Sequence, residues 1–190
     1  MPDDDLVFEK NYWGDCTNTF DEDQKHYVYA RYMGLSRVHY SFDVSNKRIL
    51  DIGGGPTSIL LKTINLKEGK VCDPLEYPDW IYQRYKVKNI KYSIQRGEDV
   101  NEKDWDEVWI YNCLQHTDDV EAIIRNALNA GRLLRLFEWV DIPPHQGHPQ
   151  MITKDLLDSL LGKSGDVVHL SESGCYGKAY YNVVFKEAMS

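Results

Sequence analysis

The stretch Arg48–Leu61, RILDIGGGPTSILL, places three consecutive glycines and a proline directly after an apolar run ending in Asp51 and Ile52. Glycine has no Cβ, so a turn made of Gly53, Gly54 and Gly55 lets a ligand lie against bare main chain. The turn is poorly made for a phosphate. The G-x-G-x-x-G spacing of dinucleotide sites needs its last glycine at position 58, where Ser58 stands. Pro56 removes an N–H, and the turn has no lysine to make a phosphate-binding loop. An uncharged or zwitterionic ligand suits these residues better. About twenty residues further on, VCDPL ends a second apolar run in Asp73. A carboxylate at a strand's C-terminal end accepts hydrogen bonds from both ribose hydroxyls and repels a 2′-phosphate. The other role open to Asp73 is to cap the following helix.

Three further segments carry polar residues to where strands should end. QRGEDV brings Glu98 or Asp99 to the neighbouring part of the crevice, where an adenine amino group can be read; the alternative is a solvated loop acid. NCLQHTDD sets Asn112 and His116 at the ends of central strands. EWVDIPPHQGHPQ puts Glu138 and Asp141 at a strand end and His145 and His148 on a Pro/Gly-rich loop. H-x-x-H suggests a metal. Here, however, no helix aligns the two rings and no third ligand is evident, so none is expected. The loop is read as a substrate-contacting wall or as plain surface.

Positioning these residues needs strands that alternate with helices. Strands are expected at 48–52, 69–73, 90–95, 106–114 and 132–140, and helices at 58–66, 78–88, 118–131 and 153–163. Two last strands, 166–170 and 178–187, are joined by a turn with Gly174 and Gly177 and have no helix between them, so they pair antiparallel. The pattern predicts a doubly wound, mostly parallel α/β sheet with a terminal antiparallel hairpin. Residues 1–45 differ in composition. They are rich in Tyr, Asp and Glu, with a helix near 19–34 that Thr19 and Glu22 would open as a capping box. This segment is expected to pack as a cap across the strand C-termini, leaving 46–190 as the main domain.

The chain has 190 residues, 42% hydrophobic and 27% charged, which suits one domain with a small appendage. Its net charge of −8 disfavours a nucleic-acid partner. No apolar run approaches the roughly 20 residues of a membrane helix, and the acidic start MPDDDLVFEK does not read as a secretory signal. Cys16, Cys72, Cys113 and Cys175 form no C-x-x-C pair, which fits a reducing, cytoplasmic compartment.

Taken in order, LDIGGGPTS, the Asp73 segment, GED at 97–99 and WDEVWIYNCLQHTDD resemble the ordered motifs of class I S-adenosylmethionine-dependent methyltransferases. The resemblance covers roughly residues 45–190 and implies a Rossmann-like seven-stranded sheet in the order 3-2-1-4-5-7-6. It also implies S-adenosylmethionine as cofactor. Asp51 and the three glycines would form the first motif, with Gly53, Gly54 and Gly55 along the methionine and ribose. Asp73 would hold the ribose, Leu75 would pack on the adenine, and Glu98 would contact its amino group with the Asp99 backbone nearby. Asn112 would face the methionine amino end. The family motif D-x-G-x-G-x-G has its third glycine at Thr57 here.

Methyl transfer from a sulfonium is an in-line displacement in which alignment and water exclusion do much of the work. A base helps when the acceptor is a hydroxyl or an ammonium. His116 is the first candidate, against a packing role, and His145 on the overhanging loop is the second. Tyr12 and Trp13 either close over the cofactor's charged end or bury apolar area. The acceptor is expected to be a small molecule, a sugar or another metabolite by analogy. The competing readings are an NAD-binding oxidoreductase and a non-catalytic, cofactor-binding partner subunit.

Overall fold

The computed structural model describes residues 3–186, with side chains from Leu6 onward. Helices α1 (Asp3–Trp13) and α2 (Phe20–Tyr32) come first. The main sheet follows as β1 (Arg48–Ile52), β2 (Glu68–Asp73), α3 (Asp79–Val87), β3 (Ile90–Ile94), β4 (Trp105–Tyr111), α4 (Val120–Ala130), β5 (Gly131–Trp139), α5 (Lys154–Leu161), β6 (Asp166–Glu172) and β7 (Cys175–Phe185). The seven strands lie in the order β3-β2-β1-β4-β5-β7-β6. The first four neighbouring pairs are parallel, and β7 runs antiparallel to both β5 and β6. The 3-2-1-4-5-7-6 order is as the family resemblance implied, and the terminal hairpin is as the sequence pattern predicted.

Strand periodicity builds two cores, because successive side chains leave a strand on opposite faces. Ile49, Trp109 and Phe137 face one side with α2 and α3, through Tyr29, Met33, Ile81 and Tyr85. Leu50, Ile52, Val108, Ile110 and Leu136 face the other with α4 and α5, through Ile123, Ala127, Leu157 and Leu161. Helix ends follow local chemistry. Asp119 caps α4 by accepting from Ala122 N at 2.9 Å, Thr153 caps α5 by accepting from Leu156 N, and Gly162 ends α5 at φ +62°.

Several elements differ from expectation. Residues 58–66 form no α-helix. They make a 3-10 turn at Ile59–Lys62, and Thr63–Ile64 then pairs in parallel with Phe42–Asp43. That pairing, with the hairpin of 36–38 and 41–43, makes a separate three-stranded sheet and uses up the chain that a crossover helix would need. On this face α2 supplies the helical cover, with Tyr29 stacked on Phe137 at 4.6 Å. The capping box is not made either. Thr19 precedes α2 at φ −103°, ψ 9°, with no side-chain cap, while Glu22 turns away to Lys25 and Asn112. Strand β4 stops at Tyr111 because Asn112 takes φ +50° and Leu114–His116 coils into a 3-10 turn. The last hairpin turns on Ser173 and Gly174, both at positive φ, so Gly177 lies within β7. The expected end of that strand at Glu187 lies outside the described residues, as do the first two residues of the 1–45 segment. Helix α1 has no periodic apolar signal in the sequence and was not expected. Among the described residues no helix is long and apolar enough to cross a membrane.

Candidate functional site

The C-terminal ends of β1, β2 and β4, roofed by α1 and α2, enclose a cavity of about 510 Å³, inside the roughly 300–1,000 Å³ range of ligand pockets. Its floor is the glycine turn, where each glycine has a different job. Gly53, at φ +78°, sits so close to Cys113 that a Cβ would come within 2.6 Å of that side chain. Gly54 lies on Asp51, whose Oδ2 would be 2.6 Å from a Cβ. Gly55, at φ +59°, leaves room for a Cβ at ordinary contact distance. The nearest atoms to a Cβ there are on Trp13 and Tyr77, 3.8 Å away. Three of the turn's N–H groups are bonded within the protein: Gly53 N donates to Cys72 O (2.8 Å), Gly55 N to Asp73 (3.1 Å) and Ser58 N to Tyr85 Oη (3.0 Å).

Asp73 organises the adjoining wall. Its carboxylate accepts from Gly55 N, Leu75 N (3.0 Å) and Tyr77 Oη (3.1 Å). Burial pushes its pKa up, and these hydrogen bonds oppose the rise. It does not cap α3, whose first turn is preceded by Pro78. Leu75, Gly97 and Ile123 form an apolar slot beside it. At the slot's edge Glu98 accepts from the backbone N–H groups of Asp118 (3.1 Å) and Asp119 (3.3 Å), tying its turn to the start of α4.

The opposite end is polar and built from both cap helices. Lys25 donates to Glu22 (3.0 Å), Asn112 Nδ2 donates to the other Glu22 oxygen (3.2 Å), and Gln115 Nε2 donates to Asn112 Oδ1 (3.0 Å). Gln115 Nε2 also lies 3.4 Å from His116 Nε2. His116 Nδ1 lies 3.0 Å from Glu9 Oε1 and 2.6 Å from Gly147 O. Burial pushes the His116 pKa down, but Glu9, the Gly147 carbonyl and Glu138 together outweigh it and the net shift is upward. His145 and His148 pair through their backbones, and the His148 ring stands edge-on to His116 at 4.4 Å. Burial lowers His148 to about 4, helped by the charges of His116 and His145. Phe8, Trp139 and Tyr176 complete the wall.

Of the residues singled out by sequence, Tyr12, Trp13, Gly53, Gly55, Asp73, Leu75, Glu98, Asn112, His116 and His145 line this one cavity. Asp51, Gly54 and Asp99 do not. Asp51 is fully buried beneath the turn, accepting from Ser58 Oγ and from Tyr111 Oη (2.6 Å). Burial raises its pKa to about 7. Asp99 is exposed and contributes its carbonyl to Gln95 (2.8 Å). Glu138 is a buried support, accepting from Cys113 N (2.9 Å) and Leu114 N (3.0 Å), which holds the 112–116 turn in place. Burial raises its pKa to about 7. Asp141 is ion-paired with Lys178. Phe8, Glu9, Glu22, Lys25, Trp139 and Tyr176 escaped the sequence reading. Only Glu22 carried a local signal, and it pointed to a helix cap. Among the described residues no group of three or more His, Cys, Asp or Glu side chains is set to hold a metal ion.

No family model and no curated protein matches the chain in sequence. Solved structures match it in shape. One chain of the complex between the Haloferax volcanii Trm112 methyltransferase activator and a methyltransferase superposes with a TM-score of 0.67 at 10% identity, over 97% of this chain and 99% of that one. Magnesium protoporphyrin IX methyltransferase of Synechocystis PCC 6803, solved with S-adenosylmethionine, gives 0.63 at 14% identity, over 95% and 97%. The 1,6-didemethyltoxoflavin-N1-methyltransferase of Burkholderia thailandensis, solved with 1,6-didemethyltoxoflavin and S-adenosylhomocysteine, gives 0.62 at 12% identity, over 93% and 85%. The fold is that of the class I S-adenosylmethionine-dependent methyltransferases.

Proposed function

We propose that the chain is an S-adenosylmethionine-dependent methyltransferase acting on a small-molecule acceptor. In this reading residues 46–190 hold the cofactor and 1–45 close over it. The observation that carries the reading is the cavity wall formed by Gly53, Gly55 and Asp73. It presents open main chain beside a buried carboxylate, while the N–H groups of Gly53, Gly55 and Ser58 are already bonded and Pro56 has none. Such a wall fits a ribose and an uncharged linker and gives a pyrophosphate little to hold, which favours this cofactor over NAD. The rest of the cavity fits too. A Cβ on Gly55 would stand in the space the ligand needs. Gln115 Oε1 is a buried acceptor in the wall without a partner among the described residues, suited to a ligand N–H.

Asp73 would hold the ribose, Leu75 and Ile123 the adenine faces, and Glu98 the adenine edge. Asn112 and Gln115 would take the methionine amino end, and Tyr12 and Trp13 would face the sulfonium. The cofactor supplies a methyl group already activated on sulfur. What the protein adds is alignment, exclusion of water and a place for the acceptor's proton. His116 is that place, and His145 and His148 wall the acceptor side. The four unpaired cysteines accord with a reducing, cytoplasmic setting.

A second reading, a cofactor-binding subunit that works only with a partner chain, draws on the structural likeness to a chain from a complex with a methyltransferase activator. Titration calorimetry with S-adenosylhomocysteine, with NADH run beside it, tests the main reading. Micromolar binding of the first and none of the second is expected, and the reverse would overturn it. Turnover by the purified chain alone on an acceptor panel then decides between enzyme and subunit.

A further inference from the structure

Helix α1 contributes a residue to the proton-accepting corner. Both acceptors around His116 Nδ1, the Glu9 carboxylate at 3.0 Å and the Gly147 carbonyl at 2.6 Å, can only accept. A neutral imidazole carries one N–H, so the proton sits on Nδ1 and Nε2 keeps its lone pair. The protein neighbour of Nε2 is the Gln115 amide nitrogen at 3.4 Å, long for a hydrogen bond and therefore weak. The pair is shielded: the His116 and Glu9 side chains are 16% and 14% exposed. Phe8, one residue before Glu9, packs against Gly147, so one helix holds both the ring and the loop that buttresses it.

We propose that Glu9 is a positioning residue for the base His116: with the Gly147 carbonyl it fixes the Nδ1–H tautomer and leaves Nε2 to receive the acceptor's proton. This rests on the methyltransferase reading above. In the step, the O–H or N–H bond of the acceptor breaks and its electron pair stays on the acceptor atom. The proton moves to Nε2, and the imidazolium keeps Glu9 as a charge-assisted partner before losing its proton to water. The groups facing the ring from other elements favour this. Glu138 from β5 also pulls the His116 pKa upward, and His148 on the loop is held neutral.

The test is 15N NMR of histidine-labelled full-length chain, titrated with pH in the presence of S-adenosylhomocysteine. The wild type is expected to show His116 as the Nδ1–H tautomer with a pKa above that of free histidine. Glu9→Gln should lower that pKa by about one unit or more while the affinity for S-adenosylhomocysteine stays unchanged. Glu9→Asp, which keeps the charge, should retain most of the elevation. A wild-type Nε2–H tautomer, or a pKa that Glu9→Gln leaves in place, overturns the proposal while cofactor binding still stands. Failure of the wild type to bind S-adenosylhomocysteine, with His116 titrating as expected, overturns instead the catalytic meaning of the pair.

Discussion

Replacing Asp73 by asparagine tests the site most directly, because the change is isosteric and its cost follows from three hydrogen bonds. Asp73 Oδ1 accepts from Leu75 N and Tyr77 Oη, and Oδ2 accepts from Gly55 N. An asparagine has one accepting oxygen. Placed at the Oδ1 position it keeps Leu75 and Tyr77, but its NH₂ then meets the Gly55 N–H donor to donor. The opposite orientation saves Gly55 and strands two donors, so the first is adopted. A buried N–H left without a partner costs about 1–3 kcal/mol. Relief of burying a charge, which already pushes the Asp73 pKa up, offsets part of it. The net expectation is a loss of stability of about 1–2 kcal/mol, read by urea unfolding at pH 7. Affinity for S-adenosylhomocysteine should fall further, since the ribose also loses an acceptor: about 10- to 100-fold, read by calorimetry on folded protein. An Asp73→Asn protein as stable as wild type and equally avid for the ligand would refute the reasoning, for stability and binding alike.

The other predictions separate support from contact. Gly53→Ala should cost about 3 kcal/mol or more, because its methyl collides with Cys113 at a positive φ; thermal unfolding checks this. Gly55→Ala, with 3.8 Å of clearance but a left-handed backbone, should cost about 1–2 kcal/mol and weaken S-adenosylhomocysteine binding, because its methyl stands in the cavity. The pH dependence of stability follows from Asp51 and Glu138, raised from 3.8 and 4.5 to about 7. Their folded forms hold protons more tightly than their unfolded forms. The stability they contribute is therefore full below the ordinary carboxylate pKa values and is lost as pH rises through about 7. Glu138→Gln keeps an oxygen for Cys113 N and Leu114 N. It should flatten that fall and be at least as stable as wild type at pH 8, as urea unfolding across the pH range will report.

Most of the sheet was legible because its signals are local. RILDI, VWIY and RLLRLF are apolar on both faces, as strands covered by helices must be, and the absence of a helix between the last two strands dictated their hairpin. Asp73 was legible because the end of a strand is itself a local mark. Helix 58–66 misread for the converse reason. Its residues accept a helical or an extended conformation, and pairing of Thr63 and Ile64 with Phe42 and Asp43, about twenty residues earlier, decided between them. Glu22 had the spacing of a capping box, but pairing with Lys25 and Asn112 places its carboxylate at the cavity instead.

What the sequence by itself determined is the alternation of strands and helices, the bare turn at Gly53–Gly55 and the presence of an acid at the end of the second strand. Each follows from periodicity or from the absence of a Cβ, properties that neighbours along the chain define. Only the tertiary structure decided which polar groups meet. It turned Asp51 beneath the turn and Asp99 outward, made Glu138 a buttress for the 112–116 turn, and brought Glu9 to His116 from more than a hundred residues away in the chain. Where a side chain points and what it touches depend on how helices are laid across the sheet. A carboxylate's pKa and the tautomer of an imidazole are set by that packing, through burial and the charges it brings close.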